Sequence, residues 1–164
     1  MDSAGIGLLR IDHVGIAIAD LDEGIAFYQR VFGMRLTHTE ENQEQGVREA
    51  MLAVGPDPSA GAEGGLGAPG GSGVPGAQLQ LLAPLSADST IAKFLDRRGP
   101  GLQQLAYTVA DIDAACAALR ERGVGLLYDT PKRGTAGSRV NFVHPKDAGG
   151  VLIELVEPAR SAHS

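Results

Sequence analysis

IDHVGIAIADLDE at residues 11–23 and LQQLAYTVADIDA at residues 102–114 are two versions of one pattern. Each is an apolar, β-prone run ending in Ala-Asp-Leu-Asp or Ala-Asp-Ile-Asp, and the first Asp suits the N-cap of a helix. A helical pattern follows each run and is predicted to end near a glycine, Gly33 in the first copy and Gly123 in the second. An internal repeat of a strand and a helix therefore decides the fold.

The remaining strands of the first half are matched by strands of the second half, in the same order. A short strand follows each helix, and two longer strands complete each half. The matched pairs are residues 34–37 with 125–128, 48–52 with 139–143, and 78–84 with 152–158. The sequence therefore predicts an α+β fold made of two tandem βαβββ modules.

We expect residues 1–164 to form a single domain. The first module spans residues 8–84 and the second residues 101–158, and an amphipathic helix within residues 85–100 bridges them. The Gly/Pro-rich run at residues 55–76 is outside the repeat and is expected to be a flexible insertion. It is either an inert surface loop or a substrate lid.

Composition excludes several classes of protein. A net charge of −6 disfavours nucleic acid as a partner. No apolar run approaches the roughly 18–20 residues of a membrane span, and the N-terminus lacks the pattern of a signal peptide. Cys116, the lone cysteine, has no partner for a disulfide and is expected to be a small buried side chain. These features predict a cytoplasmic protein that binds neither nucleic acid nor membrane.

Four polar residues interrupt the apolar strands at related positions. His13 and Gln104 are equivalent in the two first strands, and Gln80 aligns with Glu154 in the two last strands. A buried carboxylate costs several kcal/mol unless it is paired or bound to a cation, and these strand segments contain no Lys or Arg. Nitrogen and oxygen donors without a thiolate suit Co²⁺, Mn²⁺, Ni²⁺, Zn²⁺ or Fe²⁺. The alternative for each residue is an ordinary hydrogen-bonded position. The remaining histidines lack the support of the repeat: His38, His144 and His163.

Several stretches of the chain resemble known proteins. IDHVGIAIADLDEGIAFYQRVFG at residues 11–33 is similar to the opening strand and helix of the vicinal oxygen chelate superfamily. ENQEQGVREAMLAV (41–54), QLQLLAPLSADSTIAKFLDRRGPGL (78–102) and ERGVGLLYDTPKRGTAGSRVNFVHPKDAGGVLIELVEP (121–158) resemble methylmalonyl-CoA epimerases in particular. The resemblance implies that the two modules form a curved, partly open barrel around a metal ion.

The resemblance also implies a ligand set for that metal. The family uses a His, a Gln, a second His and a Glu, and His13, Gln80 and Glu154 match three of them. Gln104 stands where the family has its second His. An amide oxygen is a weaker ligand than imidazole for such metals. The implied cofactor is a divalent ion, Co²⁺ first, with Mn²⁺, Ni²⁺ or Zn²⁺ as alternatives.

The implied reaction is inversion of the carbon between the thioester and the carboxylate of an acyl-CoA, which interconverts (2R)- and (2S)-methylmalonyl-CoA. Glu49 matches the family's proposed catalytic Glu and, by the period of two along a strand, shares a face with Gln45 and Val47. Burial would raise its pKa toward neutrality, where a general base works best. The alternative is a solvated Glu on an edge strand.

Contacts with the substrate are predicted for a few further polar residues. Gln45 can position the acyl group, and the basic residues Lys132, Arg133 and Arg139 flank a Gly-rich turn where they would meet CoA phosphates or simply face solvent. The family resemblance also implies a homodimer. Two other interpretations stay open: a divergent enzyme of this fold acting on another alkylmalonyl-CoA or biosynthetic intermediate, and a metal-free small-molecule-binding protein.

Overall fold

The computed structural model describes residues 5–55 and 76–160. The strands are β1 (Leu8–Ala17), β2 (Arg35–Asn42), β3 (Val47–Ala53), β4 (Gln78–Pro84), β5 (Gly101–Val109), β6 (Lys132–Arg133), β7 (Arg139–Val143) and β8 (Ile153–Glu157). The helices are α1 (Leu21–Phe32), α2 (Thr90–Arg98) and α3 (Ile112–Glu121), with short 3₁₀ turns at Thr135–Gly137 and Pro145–Asp147. The insertion predicted at residues 55–76 lies, apart from its first and last positions, outside the described residues.

One curled sheet contains all of these strands, in the order β2-β3-β4-β1-β5-β8-β7-β6. Within each half the first and last strands are parallel neighbours, β1 with β4 and β5 with β8. The halves join where β1 and β5 pair antiparallel. The predicted α+β fold, with two βαβββ modules curled into a partly open barrel, is therefore confirmed.

The second half departs from the prediction at its second strand. Residues 125–128 form an isolated bridge between Leu126 and Val143, and the edge of the sheet is instead the two-residue β6. Buried Asn141 explains the difference, because its side chain accepts from the backbone N–H of Tyr128 at 3.2 Å and donates to its carbonyl at 3.0 Å. Backbone bonds still join Leu127 to Phe142 and His144 to Gly125, but the Asn141 side chain ends this pairing at Tyr128, and the predicted strand is wrong in extent.

Aspartate caps begin both repeated helices. Asp20 accepts from the Glu23 N–H at 3.0 Å, and Asp111 accepts from the Ala114 N–H at 2.9 Å. These bonds satisfy backbone donors that have no partner inside the helix. Gly33 then ends α1 in the left-handed conformation (φ 65°), which a glycine adopts without steric cost.

An ion pair also recurs in the two halves. Arg48 on β3 pairs with Asp22 of α1 at 3.1 Å, and Arg139 on β7 pairs with Asp113 of α3 at 2.8 Å. Both pairs are largely exposed and join the helix of a module to its third strand. The repeat therefore extends from the backbone to individual side-chain contacts.

Helices α1 and α3 cover one face of the sheet. The buried side chains between α1 and the sheet, with Leu21 contributed by the helix, are Leu21, Ala50, Leu52, Leu79, Leu81 and Ala83. The corresponding cluster between α3 and the sheet is Val109, Ile112, Ala115, Cys116 and Leu155, in which Cys116 of the helix is a small buried side chain as expected. Side chains alternate between the two faces along a strand. Glu49, next to Ala50, and Gln80, between Leu79 and Leu81, therefore point to the other face. The described residues contain no helix long and apolar enough to cross a membrane.

Helix α2 lies over part of that second face. Ser89 caps it by accepting from the Ala92 N–H at 3.1 Å. Its Ile91 is buried against Ala17, Val47 and Leu82, so the helix packs on strands of the first module. The part of the face that α2 leaves uncovered is where the polar residues of the repeat converge.

Candidate active site

Strand pairing brings the repeated polar residues to the middle of the sheet. Gly15 on β1 lies opposite Gln80 on β4 and opposite Gln104 on β5. Glu154 of β8 lies opposite Ala106 on β5, and Ala106 in turn pairs with His13 of β1. The four residues predicted as a ligand set therefore come from four adjacent strands around the join between the modules.

Their side-chain atoms meet at one point. The Gln104 Nε2 atom lies 2.6 Å from Glu154 Oε2, 2.9 Å from Gln80 Oε1 and 3.3 Å from His13 Nε2. His13 Nε2 also lies 3.1 Å from Glu154 Oε2. His13, Gln80 and Glu154 are each at most 6% exposed, and Gln104 is half-buried. This polar cluster of four residues is called the centre below.

The donor chemistry of the centre suits a divalent cation. Gln80 and Glu154 direct oxygens to it and His13 a ring nitrogen, which are ligands for borderline metals. The fourth residue, Gln104, directs its amide nitrogen there, so it would ligate only after its amide turns to present oxygen. No cluster of three or more His, Cys, Asp or Glu suited to a metal occurs in the described ranges, because half of this centre is glutamine.

Asp12 orients the imidazole. Its Oδ1 lies 2.8 Å from His13 Nδ1, and its Oδ2 accepts from the Thr108 hydroxyl at 2.6 Å. Burial lowers the pKa of His13, but hydrogen bonds to Asp12 and Glu154 outweigh it and raise that pKa to about 9. Asp12 was not predicted from the sequence, because adjacent residues on a regular strand point to opposite faces. The pairing of β1 with β5 shifts in register between Ile11 and His13, an irregularity that the strand pattern does not reveal.

Glu49 lies beside the centre and is 3% exposed. Its Oε2 accepts from the Gln80 amide at 2.8 Å and its Oε1 from the Thr135 hydroxyl at 2.6 Å. Burial raises the pKa of Glu49 to about 7, opposed by the Thr135 hydrogen bond and reinforced by the negative charges of Glu40 and Glu154. A carboxyl group with this pKa can both accept and release a proton at neutral pH.

A turn from the second module holds Thr135 over Glu49. The backbone N–H of Ala136 donates to Glu40 Oε2 at 3.0 Å, and His38 Nε2 lies 2.5 Å from the same oxygen. Ala136 adopts a left-handed conformation (φ 54°) that is unusual for alanine. No pattern in the sequence indicates a role for Thr135 or Glu40. Their contacts form only because the Thr135–Gly137 turn lies against β2 and β3 in the folded chain.

An open cavity leads to Glu49, Gln80, Gln104 and Glu154. Gln45 and Lys132 also line it, and the Lys132 ammonium lies 3.3 Å from Glu44 and 4.4 Å from the centre of the Tyr128 ring.

The other two basic residues predicted to contact CoA phosphates, Arg133 and Arg139, lie outside the cavity lining. Arg133 is exposed on β6 and Arg139 is held by Asp113. His144 accepts from the Lys146 N–H in its own turn, which is a structural role, whereas His163 is outside the described residues.

Comparison with known proteins assigns the chain to a superfamily. The family model of the glyoxalase/bleomycin resistance protein/dioxygenase superfamily matches residues 12–142. An ethylmalonyl-CoA/methylmalonyl-CoA epimerase from Cereibacter sphaeroides is 32% identical over 148 residues, which are 89% of this chain and 96% of that protein.

Two solved structures are similar over almost their whole length. Methylmalonyl-CoA epimerase from Mycobacterium tuberculosis is 54% identical with a TM-score of 0.80, and the match covers 98% of this chain and 94% of that one. A variant of the Streptomyces coelicolor methylmalonyl-CoA epimerase, in complex with 2-nitronate-propionyl-CoA, is 45% identical with a TM-score of 0.81, and the match covers 94% and 100% of the two chains.

Proposed function

Because this chain belongs to the methylmalonyl-CoA epimerases of the glyoxalase/bleomycin resistance protein/dioxygenase superfamily, we propose that it interconverts (2R)- and (2S)-methylmalonyl-CoA. It is thus an isomerase that moves the proton of the carbon between a thioester and a carboxylate. The observation that carries the mechanism is buried Glu49, whose pKa of about 7 suits it to take and return that proton.

Removing the proton leaves negative charge on the thioester oxygen. Enzymes of this superfamily typically use a divalent metal. A divalent cation at the centre would supply positive charge where that negative charge develops. His13, Gln80 and Glu154 would hold it, with Gln104 as the fourth ligand through its amide oxygen. We propose Co²⁺ as the ion, with Mn²⁺, Ni²⁺ or Zn²⁺ as alternatives.

The chain's own residues prepare Glu49 for this role. Gln80 donates to one carboxylate oxygen and Thr135 to the other, which fixes the plane of the base beside the centre. Burial keeps water from competing for the abstracted proton. Inversion also needs a proton on the opposite face, and among the described residues lining the cavity the other carboxylates are Glu44, which pairs with Lys132, and Glu154.

We propose that the acyl group of the substrate lies in the cavity beside Gln45. The CoA portion would extend past Lys132, the basic side chain among the described cavity residues. Apolar side chains also line the cavity: Val47, Leu82, Ile91, Leu127, Phe142 and Leu152. Because the related Cereibacter protein acts on ethylmalonyl-CoA as well, another alkylmalonyl-CoA is the second candidate substrate.

Two further parts of the proposal concern the whole molecule. We propose a homodimer, because α1 exposes apolar side chains, Phe27, Val31 and Phe32, that a second copy would cover. We propose a cytoplasmic location, where the free thiol of Cys116 would stay reduced.

The experiment that tests the function is exchange of the α-proton of methylmalonyl-CoA in D₂O, with and without added Co²⁺, alongside the metal content of the purified protein. We expect exchange together with inversion of each pure epimer. Binding of the thioester without exchange at any Co²⁺ concentration would contradict the proposal and favour a metal-free binding protein. Faster exchange of ethylmalonyl-CoA would favour the second substrate.

A further inference from the structure

The amide nitrogen of Gln104 lies where the ligand atoms of the centre converge. It contacts Glu154, Gln80 and His13 at 2.6, 2.9 and 3.3 Å. These are the atoms that would bind a cation, and the NH₂ group offers them two N–H bonds with partial positive charge. The side chain in the fourth ligand position thus occupies the space of the ion.

Neighbouring hydrogen bonds fix which end of the Gln104 amide points inward. The Gln80 nitrogen is engaged with Glu49 at 2.8 Å and Thr135 at 3.2 Å, so Gln80 must direct its oxygen to the centre. Glu154 also directs an oxygen there. Glu154 Oε2 also lies 3.1 Å from His13 Nε2, whereas the Gln80 oxygen receives its hydrogen bond from Gln104. A donor or a cation is needed beside the Gln80 oxygen, because a buried acceptor without a partner is costly. An inward oxygen on Gln104 would add a third acceptor.

Gly15 provides the space that lets Gln104 reach the centre. A Cβ atom on Gly15 would lie 2.5 Å from Gln104 Cγ, 3.1 Å from its Cδ and 3.3 Å from its Nε2. The Gln104 side chain therefore lies flat against the bare backbone of β1. Any larger residue at position 15 would push the amide out of its place between Gln80 and Glu154.

We propose that the Gln104 amide is a reversible occupant of the cation position. Without an ion it donates through Nε2 to Gln80 and Glu154 and keeps the buried centre satisfied. When a divalent ion enters, those two hydrogen bonds break and the amide turns to present its oxygen. This inference rests on the proposed function for the existence of a cation site, and it adds that the ion competes with an internal donor.

Side-chain amide NMR of the ¹⁵N-labelled, metal-free protein tests the proposal, with Zn²⁺ as the diamagnetic probe ion. The Gln104 NH₂ signals are identified by their loss in Q104A. We expect these protons to exchange with water roughly tenfold or more slowly than those of exposed Gln43, because they are hydrogen-bonded to Gln80 and Glu154 in the centre. Saturating Zn²⁺ should shift them and remove the protection.

Gln80 is the internal control. Its NH₂ group donates to Glu49 and Thr135, away from the ion, so its protection should persist in the presence of Zn²⁺. G15A is the second variant, because it leaves Gln104 in the sequence but displaces its side chain. We expect G15A to remove the protection of the Gln104 amide without Zn²⁺ while the rest of the spectrum stays folded.

Two NMR results would overturn the proposal. One is a Gln104 amide that exchanges as fast as Gln43 in the metal-free protein. The other is protection that survives at Zn²⁺ concentrations shown by calorimetry to saturate the protein. If wild type fails to bind Zn²⁺ but Q104A binds it, the amide is a permanent occupant that excludes the ion, and the proposed reversible exchange fails. If neither binds, the centre is no cation site and the proposal fails, whereas failure of D₂O exchange alone overturns only the proposed function.

Discussion

At the scale of single residues, Glu49 carries the proposed chemistry, and its replacement gives the first prediction. E49Q keeps the shape of the side chain but cannot accept the α-proton. We expect exchange of methylmalonyl-CoA in D₂O to slow by roughly 10²–10⁴-fold, the usual contribution of a general base, with little change in KM. E41Q, on the exposed part of β2, is the matched control and should keep full activity. Equal rates for both variants would exclude Glu49 as the base.

The same residue predicts the pH dependence of the reaction. Burial raises the pKa of Glu49 to about 7, so its carboxylate is protonated and inactive below that value and charged above it. We expect kcat/KM to rise with pH through about 7 and then to level off. The residual activity of E49Q should lack this step. A midpoint near 4.5, the ordinary value for a glutamate, would contradict the environment described for Glu49.

Residue types in the repeat were enough to predict which side chains gather at the centre. His13, Gln80, Gln104 and Glu154 interrupt apolar strands at matched positions, and adjacent strands of the sheet then place them together. The sequence could not predict that the nitrogen of Gln104 points inward. That orientation depends on the Gln80 amide, which is in turn fixed by Glu49 on another strand.

At the scale of elements, the helix caps of the repeat lead to a prediction about stability. D20A removes the side chain that accepts from the Glu23 N–H at the start of α1. We expect the free energy of unfolding to fall by about 1 kcal/mol, measured by urea denaturation. D20S restores an acceptor and should recover most of the loss. An unchanged stability in D20A would mean that water satisfies this helix end as well as Asp20 does.

Strand β6 contributes Lys132, the basic residue among the described residues that line the cavity. K132A removes the ammonium that lies between Glu44 and the Tyr128 ring at the cavity wall. We expect KM for the CoA thioester to rise several-fold with kcat nearly unchanged, because this group would bind substrate far from the reacting carbon. K93A, on exposed α2 surface, is the control. A fall in kcat at constant KM would contradict a role in binding.

Most helices and strands were predictable from local sequence patterns. The exception is residues 125–128, where the local pattern predicts a strand and the structure has an isolated bridge. The run Gly-Leu-Leu-Tyr is as β-prone as its counterpart in the first half. The run pairs with β7 and the adjoining His144 by only two backbone bonds, because the side chain of Asn141 takes both backbone groups of Tyr128 and ends the ladder there. Propensity describes a segment alone, whereas a strand needs a partner with free backbone groups.

At the scale of the whole molecule, the apolar surface of α1 predicts the oligomeric state. Phe32 is 61% exposed, stacks on Tyr28 and contacts Phe27 edge-to-face on the same helix. We expect F32E to shift the protein from two chains to one in light scattering after gel filtration, since burying a new charge in an apolar interface is costly. V151E, which changes an exposed apolar residue in a turn, is the control. A dimer that survives F32E would place the interface on another surface.

The sequence by itself determined the duplicated module, the capped helices and the residue types of the centre, because helix caps, strand periodicity and a repeat are local or periodic properties of a chain. Only the tertiary structure decided that Asp12 supports His13, that Thr135 and Gln80 hold Glu49, and that Gln104 directs its nitrogen into the centre. Each of these contacts depends on the relative position of strands, on burial or on a bend of the chain. Thr135 reaches Glu49 and Gln104 reaches Gln80 only through the packing of the two halves, whereas the contact of Gln80 with Glu49 depends on strand pairing within the first half. No single segment encodes either kind of contact.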